Sequence, residues 1–402
     1  MNTVRVFDTT LRDGEQTPGV HITPLEKVEI ARRLEAFGVS TIEAGFPISS
    51  PGDAEAARLV AKAVRHCEVA AMARCVEADV EAAADSLREA QYPVVHVFLG
   101  ASDIHLTRKL RMTRAEAIRA IDRSVRAARN RVAAVQFSAE DATRAERPFL
   151  RQCVETAILA GATRINLPDT VGFALPEEYA AMIADMVHFV DRSVLVSAHC
   201  HNDMGFATAN SIAAIRAGAR QVEVTVNGIG ERAGNASIEE VGVAVHLKQV
   251  AAMGLRLEHI AELSAHVAAV TSVPVQPNRP IVGSNAFAHS SGIHQDGIIK
   301  DPSSYEFVPP GLVGVPGHRL VFTARSGRNA LNHYARQIGF DPAAEQLEAI
   351  YQRVIRLAED RHGAAPQEEV VRVIEATCRQ RPAELAGQRP RPDGISVEVA
   401  AL

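Results

Sequence analysis

Short apolar runs alternate with longer amphipathic ones along about the first 250 residues, a length typical of one α/β barrel. Runs this short, rich in Val, Ile and Ala, read as strands covered on both faces, and the longer ones carry apolar residues at helical spacing. The pattern predicts strands over 4–11, 41–46, 69–74, 94–99, 133–138, 164–167, 195–199 and 221–226, with helices over 24–37, 77–90, 114–130 and 176–189. Gly38, Gly161 and Gly218 stand at the junctions into the second, sixth and eighth strands, where a helix needs a residue that accepts a left-handed turn. Eight such β/α units imply a closed parallel (β/α)8 barrel, the TIM barrel, rather than an open sheet.

The texture changes after residue 270. Val273-Pro274-Val275-Gln276-Pro277-Asn278-Arg279-Pro280 reads as an extended linker, followed by a polar, Gly- and His-bearing stretch over 283–305. The stretch 327–381 is helical in pattern, with Leu347, Ile350, Val354, Ile355 and Leu357 on one apolar face. The expected organisation is a barrel over 1–270, a linking segment over 271–325, a small helical subdomain over 326–385 and a disordered tail over 386–402.

Composition narrows the function classes. A hydrophobic fraction of 47% supports a sizeable core, built from Ala, Val, Leu and Ile because aromatics are 4% and Trp is absent. A formal net charge of -5 offers no electrostatic case for nucleic acid. No apolar run is long enough to span a bilayer, and the N-terminus has no signal-peptide pattern. The five cysteines show no CxxC pairing, which suggests reduced thiols in a cytoplasmic protein.

In such barrels the active site lies at the C-terminal ends of the strands. Polar residues gather there: Arg12 and Asp13 after the first strand, Glu43 on the second, His96 in the fourth, Ser138 and Glu140 closing the fifth. Asn166, Asp169 and Thr170 close the sixth, His199 and His201 the seventh, and Asn235 follows the eighth. His199 and His201 point the same way on a strand, so Cys200 between them should face the core. A lone HxH serves equally as a packing pair; joined by Asp13 it becomes an oxygen-and-nitrogen metal site. Such donors suit zinc, manganese, cobalt or iron(II), and magnesium where oxygens dominate. Arg12 reads either as a surface ion-pair partner or as an oxyanion clamp beside the metal. Glu140 reads as a helix N-terminal charge, a general base or a water-holder. Asp169-Thr170 caps its loop or offers a hydroxyl to a carboxylate. The glycine-rich Gly228–Asn235 stretch lacks nucleotide-loop spacing and reads better as a sharp turn placing Asn235 near the metal. His105, Arg108, Lys109 and Arg111 form a basic patch, either a solvated face or a contact to cofactor phosphates.

Together these residues resemble the metal-dependent, acyl-CoA-condensing TIM-barrel family that includes the 2-isopropylmalate, homocitrate and citramalate synthases. The resemblance rests on Asp8-Thr9-Thr10-Leu11-Arg12-Asp13-Gly14-Glu15-Gln16, on residues 199–203 and on residues 228–235. Residues 45–53, 166–172 and 288–297 are most similar to the 2-isopropylmalate synthase branch. The resemblance implies that Asp13, His199, His201 and Asn235 bind a divalent metal (Zn, Mn, Mg or Co) and that Arg12 polarises the keto group of a 2-oxo acid. It implies that Thr170 holds the acid's carboxylate and that Met72, His96, Ser138 and Asn166 line the pocket. Glu140, His294 and Tyr305 match the family's proton-transfer positions. Acetyl-CoA would be the co-substrate, 2-oxoisovalerate the leading oxo acid, and a homodimer would form in which the 271–325 segment completes the partner's site. Two departures stand out. Met72 occupies a pocket position where leucine is usual, which changes the pocket's shape. Only about 20 residues follow Arg381, too few for the family's leucine-sensing domain, so no leucine feedback through such a domain is expected.

Overall fold

The computed structural model describes residues 2–385; the tail expected over 386–402 lies outside them. The chain alternates β1 (Arg5–Asp8), α1 (Pro24–Phe37), β2 (Thr41–Glu43), α2 (Pro51–Ala63), β3 (Glu68–Arg74), α3 (Glu77–Ser86), β4 (Pro93–Gly100) and α4 (Arg114–Arg129). It continues through β5 (Ala134–Glu140), α5 (Arg147–Leu159), β6 (Arg164–Asp169), α6 (Pro176–Phe189), β7 (Leu195–Cys200), α7 (Ala207–Ala217), β8 (Gln221–Val224) and α8 (Ile238–Leu247). The eight strands pair in parallel in that order, and β8 returns to β1 with Phe7 opposite Glu223, closing the barrel.

Local chemistry sets the element ends. Thr23 and Thr113 form reciprocal capping boxes with Glu26 and Glu116, and Ser50 and Ser237 cap α2 and α8. Gly38 ends α1 at φ 102°, where a Cβ would fall 2.6 Å from the Gly254 carbonyl oxygen. Gly161 and Gly218 likewise have positive φ. The strand pattern overran at the start of the chain: β1 stops at Asp8 rather than residue 11. The Asp8 carboxylate accepts from the Thr10 backbone N–H (2.9 Å) and hydroxyl (3.0 Å), and the Gly14 N–H reaches the Thr9 carbonyl (3.0 Å), turning the chain out of the sheet. Elsewhere β5 and β6 run two residues beyond the expected ends, to Glu140 and Asp169, because their ladder bonds to neighbouring strands persist there.

Alternation along the later strands sorts side chains between the barrel lumen and the helices. Phe137, Ala139, Leu167, Ala198, Val222 and Val224 are buried. Burying each larger apolar side chain contributes roughly 1.5–3 kcal/mol. The intervening polar positions satisfy one another across the lumen. Gln136 Nε2 donates to Glu223 Oε1 (2.7 Å), and Gln221 Nε2 donates to Gln136 Oε1 (2.7 Å) and Ser197 Oγ (3.1 Å). At the strand starts Glu68 accepts from Arg164 (2.5 and 2.8 Å), Arg5 (2.6 Å) and Thr41 (2.6 Å), a floor of charge-assisted bonds. The barrel is thus plugged below and polar above.

Backbone packing divides the chain into two compact units. One runs to Gly283 and includes α9 (Ile260–Thr271) and Leu312–Val315; the other holds Ser284–Gly311 and the described residues from Pro316 to Leu385. The second unit contains β9 (Ala288–His289), α10 (Gly292–Lys300), β10 (Arg319–Leu320), α11 (Arg328–Gln337), α12 (Ala344–Asp360), α13 (Gln367–Cys378) and α14 (Pro382–Leu385). β9 and β10 pair in parallel, and the apolar face of α12 anticipated from its spacing buries Ile350 and Val354 against Leu331, Val370 and Ile374. All five cysteines are free thiols. No helix among the described residues is long and apolar enough to cross a membrane.

Candidate active site

The turn after β1 carries Arg12 and Asp13 to the barrel mouth, and β7 delivers His199 with His201 immediately beyond it. The two Nε2 atoms lie 3.8 and 3.7 Å from Asp13 Oδ2. One ligand atom from each of the three residues lies within 4.8 Å of the others, and all three are buried. The loop after β8 completes the cluster. His201 and Asn235 form an isolated antiparallel bridge, and Asn235 Nδ2 donates to Asp13 Oδ1 (2.8 Å) and to the Ile229 carbonyl (3.0 Å). Gly230 makes this approach possible, since a Cβ there would lie 2.2 Å from Asn235 Nδ2 and 2.9 Å from Asp13 Oδ1.

The donor chemistry fits a divalent cation. Burial opposes ionising Asp13, but Arg12 and the two imidazoles outweigh it and hold the carboxyl well below the usual range. Burial pushes the His201 imidazole down to about 4, so it is neutral with a lone pair available at pH 7. Asn235 Oδ1 is buried without a hydrogen-bond partner. His199 Nδ1 lies 3.0 Å from Glu223 Oε2, close enough for an ion pair though angled away from a hydrogen bond. That carboxylate overcomes the effect of burial and raises the His199 pKa. A carboxylate behind a histidine whose far nitrogen faces other donors is the arrangement that orients metal-binding imidazoles. Cys200 turns away and is fully buried, as its place between the histidines required.

A second chain of contacts runs across the mouth from Arg12. Its Nε donates to Glu43 Oε2 (2.6 Å) and its Nη1 to Asp13 Oδ2 (2.7 Å). Glu43 Oε1 lies 2.5 Å from His96 Nδ1, His96 Nε2 lies 2.6 Å from Ser138 Oγ, and Asn166 Nδ2 donates to the same Ser138 oxygen (2.8 Å). Burial resists ionisation of Glu43, yet Arg12 and His96 bring its carboxyl down to about 2. Arg12 is therefore a fixed cation with two of its three nitrogens committed, not a surface ion-pair partner.

These groups surround a cavity of about 260 Å³, lined also by Met72, Glu140, Thr170, Lys109 and Arg232, with an apolar wall of Phe46, Phe98 and Pro168. The Phe46 and Phe98 rings meet edge to face at 6.3 Å. Thr170 Oγ1 accepts from the Asp141 N–H (2.9 Å), which leaves its own proton available for donation. Asp169 does cap its loop, accepting from the Phe173 and Ala174 N–H groups. Glu140 Oε1 and Oε2 accept from Lys109 Nζ (2.7 and 2.9 Å). Burial raises the Glu140 pKa, but His105 and Lys109 prevail and lower it. His294 and Tyr305 lie in the second unit, where their rings stack at 4.4 Å and a Cβ on Gly297 would strike the Tyr305 ring.

The barrel thus brings together Arg12, Asp13, Met72, His96, Ser138, Glu140, Asn166, Thr170, His199, His201 and Asn235. Sequence reasoning overlooked Glu223, although its alternation with Val222 and Val224 placed it in the lumen. Phe46 and Phe98 were also overlooked as pocket walls, because an aromatic at a strand end reads as ordinary core.

A closed parallel barrel with a cluster of oxygen and nitrogen donors at its mouth that could hold a cation defines the class of TIM-barrel enzymes with the active site on the strand C-terminal face. The chain belongs to the HMGL-like family, whose model matches residues 3–267; the model for the homocitrate synthase post-HMGL domain matches residues 281–362. It is 48% identical over 374 residues to 2-isopropylmalate synthase of Carboxydothermus hydrogenoformans, covering 92% of this chain and 73% of that one. It is 50% identical over 356 residues to a probable 2-isopropylmalate synthase of Methanopyrus kandleri, covering 89% and 70%. Among solved structures, HMG-CoA lyase from Bacillus subtilis aligns with a TM-score of 0.60 at 18% identity, over 68% of this chain and 96% of that one. HMG-CoA lyase from Brucella melitensis aligns with a TM-score of 0.58 at 22% identity, over 68% and 100%. At these identities the likeness speaks to the fold alone.

Proposed function

We propose that this protein condenses acetyl-CoA with a 2-oxo acid, 2-oxoisovalerate first among them, giving 2-isopropylmalate and CoA at the entry to leucine biosynthesis. The observation that carries the reading is the 45–50% identity to 2-isopropylmalate synthases over about nine-tenths of the chain. The site's chemistry supports it. Asp13, His199, His201 and Asn235 would hold a divalent metal (zinc, manganese, magnesium or cobalt), which when bound supplies Lewis-acid polarisation of the oxo acid's keto oxygen. Arg12 adds a fixed positive charge toward that oxygen as it becomes an alkoxide. Thr170 donates to the substrate carboxylate, and His96, Ser138 and Asn166 orient the acid. Met72 joins Phe46, Phe98 and Pro168 in a wall suited to a branched aliphatic side chain.

Glu140 would take a proton from the thioester methyl, and His294 and Tyr305 of the second unit would complete proton transfer in a homodimer partner. Hydrolysis of the thioester releases CoA and makes the step irreversible. This biosynthetic role puts the protein in the cytoplasm. On 2-oxoglutarate, the homocitrate alternative, a second carboxylate would have to sit against that apolar wall, which disfavours it.

The test is a free-thiol release assay with acetyl-CoA and a panel of 2-oxo acids, run after chelation and again with added divalent metal. Metal-dependent release with 2-oxoisovalerate is expected. Release with 2-oxoglutarate alone would overturn the substrate, and no release with any oxo acid would overturn the reaction class.

A further inference from the structure

The condensation creates negative charge in two places, on the keto oxygen of the acid and on the thioester oxygen of acetyl-CoA as its methyl loses a proton. Arg12 and the metal-ligating cluster serve the first. A thioester methyl is a very weak acid, so the second oxygen also needs a donor. Two other cations line the cavity. Arg232 donates to Asp203 (2.7 and 3.0 Å) and to the Thr170 carbonyl (2.7 Å), none of them the Glu140 carboxylate that takes the methyl proton. Lys109 is the other.

Three observations distinguish Lys109 from an ordinary ion-pair partner. Its ammonium contacts both Glu140 oxygens and has three N–H groups, so one remains for a further acceptor. It sits on a π-helical turn, His105–Leu110, a form that occurs mostly at functional sites because its extra residue re-aims side chains. That turn is seated by a dedicated glycine: a Cβ on Gly100, the last residue of β4, would lie 2.7 Å from His105 Cβ. His105 then stands with Nδ1 3.4 Å from Glu140 Oε2 and Nε2 3.7 Å from Asp141 Oδ2, limiting where the Glu140 carboxylate can go.

We infer that Lys109 is a catalytic residue for the thioester half of the reaction, donating its third N–H to the acetyl-CoA carbonyl oxygen while it holds Glu140. The inference rests on the condensation reading above. The thioester's methyl and carbonyl oxygen share one carbon, so an ammonium bridging Glu140 to that oxygen lays the carboxylate beside the methyl. A methyl C–H bond then breaks and its proton passes to Glu140. The C–H electron pair becomes the enolate C=C bond, and the carbonyl π pair moves onto the oxygen held by Lys109. The C=C π pair next forms the C–C bond to the keto carbon as the pair on the thioester oxygen restores its C=O, and the keto π pair becomes the alkoxide facing Arg12. His105 acts through Glu140 as a positioning residue.

Infrared difference spectra of carbonyl-labelled acetyl-CoA bound to the metal-loaded enzyme test the contact directly. The thioester C=O band should shift to lower wavenumber in the wild type and in Glu140→Gln, and that shift should vanish in Lys109→Met. Lys109→Met should lower kcat for thiol release by about 10²–10³-fold, the effect of removing one oxyanion donor. The KM for the oxo acid should stay within about threefold, and Lys109→Arg should recover at least about tenfold of the lost rate. An unshifted band in the wild type, or a shift that survives in Lys109→Met, overturns the inference. So does a Lys109→Met, Glu140→Gln pair no slower than Glu140→Gln alone, because Lys109 would then act only by positioning Glu140. A wild-type enzyme that releases no thiol with any oxo acid instead overturns the condensation reading itself.

Discussion

Gly230→Ala is a one-methyl perturbation aimed at the cation site. Gly230 has φ 150°, and the added Cβ would lie 2.2 Å from Asn235 Nδ2 and 2.9 Å from Asp13 Oδ1. Non-bonded heavy atoms rest at about 3.5 Å, so the Asn235 amide has to move by more than about 1 Å. It cannot do so and keep its bonds to Asp13 Oδ1 and the Ile229 carbonyl. Losing the bond to the carboxylate costs about 1.5–3 kcal/mol and the bond to the carbonyl about 0.5–1.5 kcal/mol. Holding alanine in that backbone region adds about 1–2 kcal/mol. The sum, about 3–6.5 kcal/mol, falls on two candidate metal ligands at once. Calorimetric titration with Mn²⁺ or Zn²⁺ should show affinity reduced by at least about 10²-fold, since each 1.4 kcal/mol is a factor of about ten. Thermal unfolding should shift down by several degrees. Gly19→Ala is the control: Gly19 also has positive φ (87°), but its Cβ would meet nothing within 4 Å, so only the backbone term applies. Wild-type metal affinity and melting temperature in Gly230→Ala would refute the argument that this glycine exists to admit Asn235.

Glu223→Gln weakens the carboxylate 3.0 Å behind His199 and should reduce divalent-metal affinity about 10–100-fold with the fold intact; unchanged affinity in the same titration would show that Glu223 does not orient the imidazole. Burial raises the Asp8 carboxyl to about 7 against an ordinary 3.8, so its contribution to stability is present below about pH 4 and lost as the pH rises toward 7. Asp8→Asn should flatten the urea-unfolding stability profile across that window, by up to about 4 kcal/mol; wild-type and variant profiles that run parallel would contradict this. Lys27, almost fully buried, pairs with Glu15 (2.5 Å) and Asp53 (3.0 Å), joining the loop after β1 to the first turn of α2. Lys27→Met strands both carboxylates and should destabilise the barrel by about 3 kcal/mol at pH 7. A melting temperature equal to wild type at pH 7 would exclude that role.

Periodicity was a reliable guide wherever one face of an element is apolar over several turns. Pro24–Phe37 and Pro176–Phe189 begin and end where the pattern placed them; proline opens each helix, and Gly38 stops the first. β1 was overextended because Thr9, Thr10 and Leu11 have strand-like side chains, and the turn that removes them depends on bonds to the preceding Asp8. The HxH pair and Arg12-Asp13 were legible as chemistry, since their residue types have few structural uses at strand ends. Glu223 was not recognised as a member of the site, Glu43 was placed at the barrel mouth without a role, and Lys109 was read only as part of a basic patch. Each is an ordinary charged residue in sequence, and each gains its meaning from a partner at least 24 positions away: Glu43 from His96, Glu223 from His199, Lys109 from Glu140.

The order of strands and helices, the closure of eight units into a barrel and the choice of face for His199, His201 and Cys200 follow from residue spacing, because side-chain direction on a strand alternates whatever surrounds it. The tertiary structure supplied the distances at which Asp13 meets the two histidines nearly two hundred residues on and Gly230 admits Asn235 beside it, and it alone decided that Lys109 reaches across to Glu140. Those pairings depend on strand tilt, loop course and the few ångströms between side chains at the barrel mouth, distances that are properties of the folded ring and of no segment within it.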